Sequence, residues 1–172
     1  MEFLDLVKQR YAQRDYENKE VEEEKLQRIL EVGRLAPTAA NRQPQRFYII
    51  RKEDMPTFEN AVNFHGAPLA ILICAYTKEA WVRKYDDMNA GVIDASIVCT
   101  HMMMEATQLG LGSLWVCAFD PEKVKDVCGL AEGMEPINIL CLGYGKHPGD
   151  IHRFVTTRKP LEEFILRKKV SK

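Results

Sequence analysis

The segment from about Asp87 to Leu109 constrains the fold more than any other. Its spacing predicts a helix of roughly 33 Å at 1.5 Å per residue. Apolar side chains (Val92, Ile93, Ile97, Val98, Met102, Ala106 and their neighbours) occupy nearly all of its faces. A helix apolar all round belongs at the centre of a core or in a subunit interface. With 172 residues and 46% hydrophobic content, the chain is expected to form one domain, 1–172, with a sizeable core. The helix is therefore expected to serve both purposes. His101 reads as a packed histidine rather than a metal ligand, and Met102 to Met104 as adaptable packing.

Around that helix the chain alternates helical and extended patterns. Phe3, Leu4, Leu6 and Val7 predict a helix from Glu2 to about Arg10. Asn18 is a candidate cap for a second helix, whose Leu26, Ile29, Leu30 and Gly33 follow the 3.6 period. Phe47 to Arg51 reads as a strand, Asp54 to Asn63 as a short helix, and Pro68 to Ala75 as a strand buried on both faces. Trp81 to Asp87 is a lid or a plain connector. Gly110 to Gly112 ends the long helix and Ser113 to Cys117 is a strand. Asp120-Pro121 caps a helix reaching about Cys128, and Pro136 to Gly143 is the last core strand. The order predicts a mixed α/β or α+β layer fold. The tail, about 147–172, with a short helix from about Leu161, is expected to wrap a partner.

Two stretches carry chemistry. In Leu35 to Gln45, Pro37 and Pro44 break helix and bias their predecessors to extended geometry. The planar amides of Asn41 and Gln43 can read the edge of a heterocycle, and Ala39 and Ala40 allow close approach to the backbone. In Gln9 to Arg14, Arg10 and Arg14 just past a helix can converge on one anion, or form a solvated basic face.

Several classes are excluded by composition. A net charge of −1 provides no bulk attraction to nucleic acid or membrane. No run of about 18 apolar residues exists to span a bilayer. The opening MEFLDLVKQR carries acids where a signal peptide needs bases, so a cytoplasmic location is expected. The five cysteines form no CxxC, and four lie in apolar runs, as buried reduced thiols do. No GxGxxG follows a strand, and no phosphate-binding Gly-rich loop or hydrolase signature is present. His147 to His152 matches no zinc pattern, so no metal is expected.

The chain resembles the FMN-dependent nitroreductase family in its short single-domain form. Arg10-Tyr-Ala-Gln-Arg14, Ala36-Pro-Thr-Ala-Ala-Asn-Arg-Gln-Pro44, Gly110-Leu-Gly-Ser-Leu-Trp115, Phe119-Asp-Pro-Glu122, Leu142-Gly-Tyr-Gly145 and Arg158-Lys-Pro-Leu161 carry the resemblance. Each block is weak alone, but they span nearly the whole chain in family order.

The resemblance implies an α+β, three-layer fold, with a central mixed or antiparallel sheet flanked by helices. It also implies an intertwined homodimer with two FMN sites at the interface. Arg10 and Arg158 match residues that hold the FMN phosphate, with Tyr11 and Ala12 in the same block. Arg14 matches a basic residue near the flavin pyrimidine edge. Pro37, Thr38, Asn41 and Gln43 match the segment that partners the ring, from the other subunit. Trp115, Val116, Cys117 and Ala118 match the segment whose backbone faces the ring, with the Cys117 N–H a candidate donor to N5. Two departures stand out. Ala12 replaces a usual Ser, and Gln45 stands where an aromatic often follows Gln-Pro.

The implied activity is NAD(P)H-driven reduction of a small electron-poor acceptor, such as a nitroaromatic or quinone, in a ping-pong cycle. NAD(P)H would be a transient co-substrate, which fits the missing dinucleotide fingerprint. A specialised flavin reaction on the same fold (reductive dehalogenation or flavin breakdown) and a non-catalytic FMN-binding or redox-sensing module are the alternatives.

Overall fold

The computed structural model describes residues 2–147 and 157–166. Four strands form one antiparallel sheet in the order β1-β2-β4-β3. They are β1 (Gln45–Arg51), β2 (Leu69–Tyr76), β3 (Gly112–Val116) and β4 (Met134–Gly143). The apolar runs occupy the two inner strands. β2 is buried along almost its whole length, while edge strand β1 alternates exposed and covered positions, as the covering of both faces requires.

The helices are α1 (Phe3–Gln9), α2 (Glu23–Leu35), α3 (Gly91–Gln108) and α4 (Pro121–Cys128). α2 and α3 cover one sheet face through Leu26, Ile29, Val98 and Met102 packed on Ile71, Ile73 and Leu140. On the other face Phe58, Val62 and Val124 pack on Leu72, Ile139 and Cys141. Three layers result, and the mixed-or-antiparallel alternative resolves to antiparallel. α2 and α3 approach closely at Gly33, where a Cβ would lie 2.9 Å from the Met102 sulfur.

The local signals at α4 act as expected: the Asp120 carboxylate accepts from the Glu122 and Lys123 N–H groups at 3.2 Å, ahead of Pro121. Other boundaries differ. Asn18 caps no helix; its carbonyl accepts from Lys52, and α2 begins at Glu23 without a side-chain cap. The helix expected over Asp54 to Asn63 is one 3-10 turn, Met55–Phe58. Its later residues turn away so that Val62 bridges Phe119, which buries the same side chains without helical hydrogen bonds. α3 starts at Gly91, not Asp87, because Asp87 is left-handed (φ 56°) and the Asn89 side-chain Oδ1 accepts the Gly91 N–H at 2.9 Å. Trp81 to Asp87 belongs to a turn closed by the Val82–Asn89 bridge and a bidentate Arg83–Asp86 pair.

α3 is not covered on every side. Val92 and Ile93 are 58% and 47% exposed, and His101 is exposed as well. Of the cysteines, Cys74, Cys99 and Cys141 are buried, Cys128 is half-buried and Cys117 is exposed, all as free thiols. Most of the 147–172 arm and of the His147 to His152 stretch lies outside the described residues. Within it, Leu161–Phe164 forms a 3-10 turn. Among the described residues no helix is long and apolar enough to cross a membrane.

Candidate functional site

The segment between α2 and β1 is a tight, strained loop. Ala40, Asn41 and Gln43 all have left-handed backbones, with φ of 50°, 53° and 51°. Such geometry costs an alanine about 1–2 kcal/mol and an asparagine less. Interlocking bonds hold it. The Asn41 N–H donates to the Thr38 carbonyl at 3.0 Å, and the Gln43 N–H to Thr38 Oγ1 at 3.0 Å. From the protein interior, Asp94 Oδ1 accepts the Ala39 N–H at 2.8 Å. Pro37, Asn41 and Gln43 are thereby left on the surface. The Gln43 side-chain N–H donates to the Asn41 carbonyl at 3.1 Å, and Asn41 itself is exposed. Gln45, the departure from the family pattern, opens β1 as a buried residue whose Oε1 has no hydrogen-bond partner among the described residues.

The second stretch, residues 10–14, follows α1 across the end of the sheet. Gln13 organises it. This residue is only 3% exposed, and its N–H donates to the Ser113 carbonyl at 2.9 Å. A Cβ on Gly112 would lie 2.8 Å from Gln13 Cγ, and one on Gly145 would collide with Gln13 Oε1. Tyr11 donates its hydroxyl to Gln13 Oε1, and Gln13 donates Nε2–H to the Asp15 carbonyl. Two glycines thus make a cradle, and the glutamine in it fixes the segment carrying Arg10, Tyr11, Ala12 and Arg14. Ala12 bridges Ser113 in parallel fashion. Overfilling such a site costs about 1–3 kcal/mol. Gly112→Ala is expected to lower stability by that amount in urea unfolding, with an unchanged m-value.

Arg10 faces a cleft of about 380 Å³ formed with Tyr11, Thr107, Gly110, Gly112 and Ser113. Burial, and then the positive charge of Arg158, lowers the Arg10 pKa from its ordinary value. The charge Arg10 feels is that of Arg158 rather than Arg14, whose guanidinium donates to the Ala12 carbonyl at 3.3 Å. Among the described residues Arg10 and Arg158 have no ion-pair partner.

Edge strand β3 leads to the third stretch. Trp115 packs on the α3 side, and its indole N–H donates to Cys117 Sγ at 3.0 Å. Val116 is buried in the opposite layer. Cys117 and Ala118 are exposed and lie beyond the end of the β3–β4 ladder.

α3 relates these parts. Asp94, in its first turn, holds the Thr38–Gln43 loop, and Thr107, near its end, lines the Arg10 cleft. Thr107 lies thirteen helical steps after Asp94, about 20 Å at 1.5 Å per residue. The chain therefore carries the amide loop and the arginine cleft at opposite ends of one helix. Gln13 and Asp94 were not singled out from the sequence. A single buried polar residue leaves no periodic signal, and only the glycine cradle and the loop N–H show its task. Among the described residues no group of three or more His, Cys, Asp or Glu side chains could hold a metal ion.

Comparison with known proteins bears on the whole chain. The profile of the nitroreductase family matches residues 7–63 and 57–144. The crystal structure of a nitroreductase family protein from Clostridium difficile superposes with a TM-score of 0.93 at 42% identity, over 99% of this chain and 100% of that one. An FMN-dependent nitroreductase from Clostridium difficile superposes at 0.72 with 26% identity, over 84% of this chain and 88% of its own. A relative from Archaeoglobus fulgidus carries the provisional name NADH dehydrogenase/NAD(P)H nitroreductase. It is 28% identical over 160 residues, 88% of this chain and 90% of its own. Matching blocks, a shared three-layer fold and this coverage lead to one conclusion: the chain belongs to the nitroreductase family.

Proposed function

We propose that the protein is an FMN-dependent NAD(P)H oxidoreductase that reduces small electron-poor acceptors, nitroaromatics or quinones, in a ping-pong cycle, and that it works as a homodimer. The observation that carries this is a pair of cations, Arg10 lining the cleft and Arg158 near enough for its charge to act on it. Neither has an ion-pair partner among the described residues. Two guanidinium groups repel unless an anion joins them, and a phosphate supplies both the charge and the oxygens.

The donor set fits FMN. Arg10 and Arg158 would hold its phosphate, and Tyr11 and Ala12 would flank it. Arg14 would stand by the pyrimidine edge, where positive charge favours the reduced state. Trp115, Val116, Cys117 and Ala118 would present backbone to the ring, with the Cys117 N–H free of the ladder. Pro37, Thr38, Asn41 and Gln43 would reach the ring from the partner subunit. The last point follows from the opposite placement of the two half-sites on α3. A two-fold partner packed antiparallel along the exposed side of α3 brings its amide loop to the cleft of the first subunit. When bound, FMN would supply two-electron redox chemistry between the nicotinamide and the acceptor. The chain need supply no acid, base or nucleophile, but only binding, orientation and charge.

The relatives' names agree with this chemistry: FMN-dependent nitroreductase, and NADH dehydrogenase/NAD(P)H nitroreductase. Denatured protein, purified or first reconstituted, should release FMN on chromatography. NADH or NADPH should bleach the bound flavin within one mixing, and a quinone or nitroaromatic should recolour it. Bound flavin inert to both donors would establish a binding module instead, and release of FAD would overturn the cofactor assignment.

A further inference from the structure

Asp94 is fully buried in the first turn of α3. A carboxylate taken out of water is costly unless it is well paired. This one has a single side-chain partner among the described residues, the Ala39 N–H at 2.8 Å. Its other oxygen, Oδ2, is buried with no hydrogen bond there. No arginine or lysine pairs with it among the described residues. The helix N-terminus favours its charge, but a helix start alone does not require a buried acid. The N–H it holds opens the turn in which Ala40, Asn41 and Gln43 are left-handed. Backbone strain of this kind persists only where surrounding structure over-determines it.

We propose that Asp94 is a positioning residue: it latches the Thr38–Gln43 loop to the start of α3 and so fixes the direction in which Asn41 meets the flavin. The latch rests on the assignment of this loop to the flavin site. It makes the loop a rigid extension of the interface helix. The amide that serves one subunit's cofactor is then placed by a carboxylate inside the other subunit.

Three variants test the latch by FMN titration and by the visible circular dichroism of the bound flavin. Asp94→Ala removes the acceptor. Asp94→Asn keeps an acceptor oxygen and removes the charge. Ala39→Pro removes the donor from the loop side and sets its ring carbon against the Asp94 carboxylate, so that the loop must part from α3, and the extended Thr38 (φ −133°, ψ 157°) tolerates a following proline. Asp94→Ala and Ala39→Pro should each raise the FMN dissociation constant about tenfold and change the flavin dichroism, and the double variant should be no worse than either. Asp94→Asn should return both readouts to within about twofold of the wild type. If Asp94→Ala does not fold, Ala39→Pro decides alone. Unchanged affinity and dichroism in Ala39→Pro, or no rescue by Asp94→Asn, overturns the latch while the flavin assignment stands. Failure of the unsubstituted protein to bind FMN overturns that assignment and the latch with it.

Discussion

Arg158→Ala is expected to purify pale and to regain its colour only with excess FMN. Arg10 and Arg158 lie near the two ends of the chain, yet the charge of Arg158 adds to burial in lowering the Arg10 pKa. Neither has a carboxylate partner among the described residues. Such an arrangement is unfavourable in the empty protein and becomes favourable when a phosphate enters. Losing one charge-assisted contact costs about 1.5–3 kcal/mol, a tenfold to hundredfold weaker affinity. Riboflavin, which lacks the phosphate, separates this effect from general damage. It should bind wild type and variant about equally, so the FMN-to-riboflavin affinity ratio should collapse in Arg158→Ala. Arg10→Ala should act in the same direction, and the double variant should lose less than the sum, since both residues serve one anion. An unchanged ratio would show that the tail does not reach the phosphate.

Local signals in the sequence were legible where one residue's physics settles the outcome. The unbroken apolar run over Leu69 to Ala75 could only be an inner strand, and Asp120-Pro121 could only open a helix. The 54–63 segment misled because Phe58, Ala61 and Val62 have helical spacing, yet are buried by a turn that bridges to Phe119. Spacing reports which side chains seek a core, not the hydrogen bonds by which they reach it. The site shows the same division. Asn41, Gln43 and Arg10 stand out as candidates because amides and cations in short loops are chemically conspicuous, although Gln43 proves to bond within its own turn. Gln13 and Asp94 do not, because their roles depend on Gly112, Gly145 and Ala39 meeting them in space. That the Arg158 charge acts on Arg10 is likewise beyond any local rule, since the two residues lie so far apart in sequence.

Ile97→Glu is expected to separate the subunits and abolish FMN binding together. α3 carries an outward stripe with the i, i+4 repeat Ile93, Ile97, His101, with Val92 beside it, and Val92 and Ile93 are 58% and 47% exposed. Beside it a groove of about 350 Å³, lined by Phe3, Leu6, Val32, His101 and Met104, continues the apolar surface toward α1. A stripe and groove of this kind suit an obligate interface, which runs to about 2,000 Å² or more. A carboxylate placed at its centre would be buried without a partner, at a cost of about 3–5 kcal/mol, hundreds-fold or more in the dimer dissociation constant. Because the amide loop and the arginine cleft lie about 20 Å apart along α3, a separated subunit would hold half of the proposed site. The loss of FMN should therefore follow the loss of dimer across a concentration series in sedimentation, with colour and mass moving together. Val127→Glu, at a 39% exposed apolar position on α4 in the opposite layer, should change neither. A folded monomer that keeps FMN at wild-type affinity would show that one subunit holds the whole cofactor, and the two-fold site would have to be abandoned.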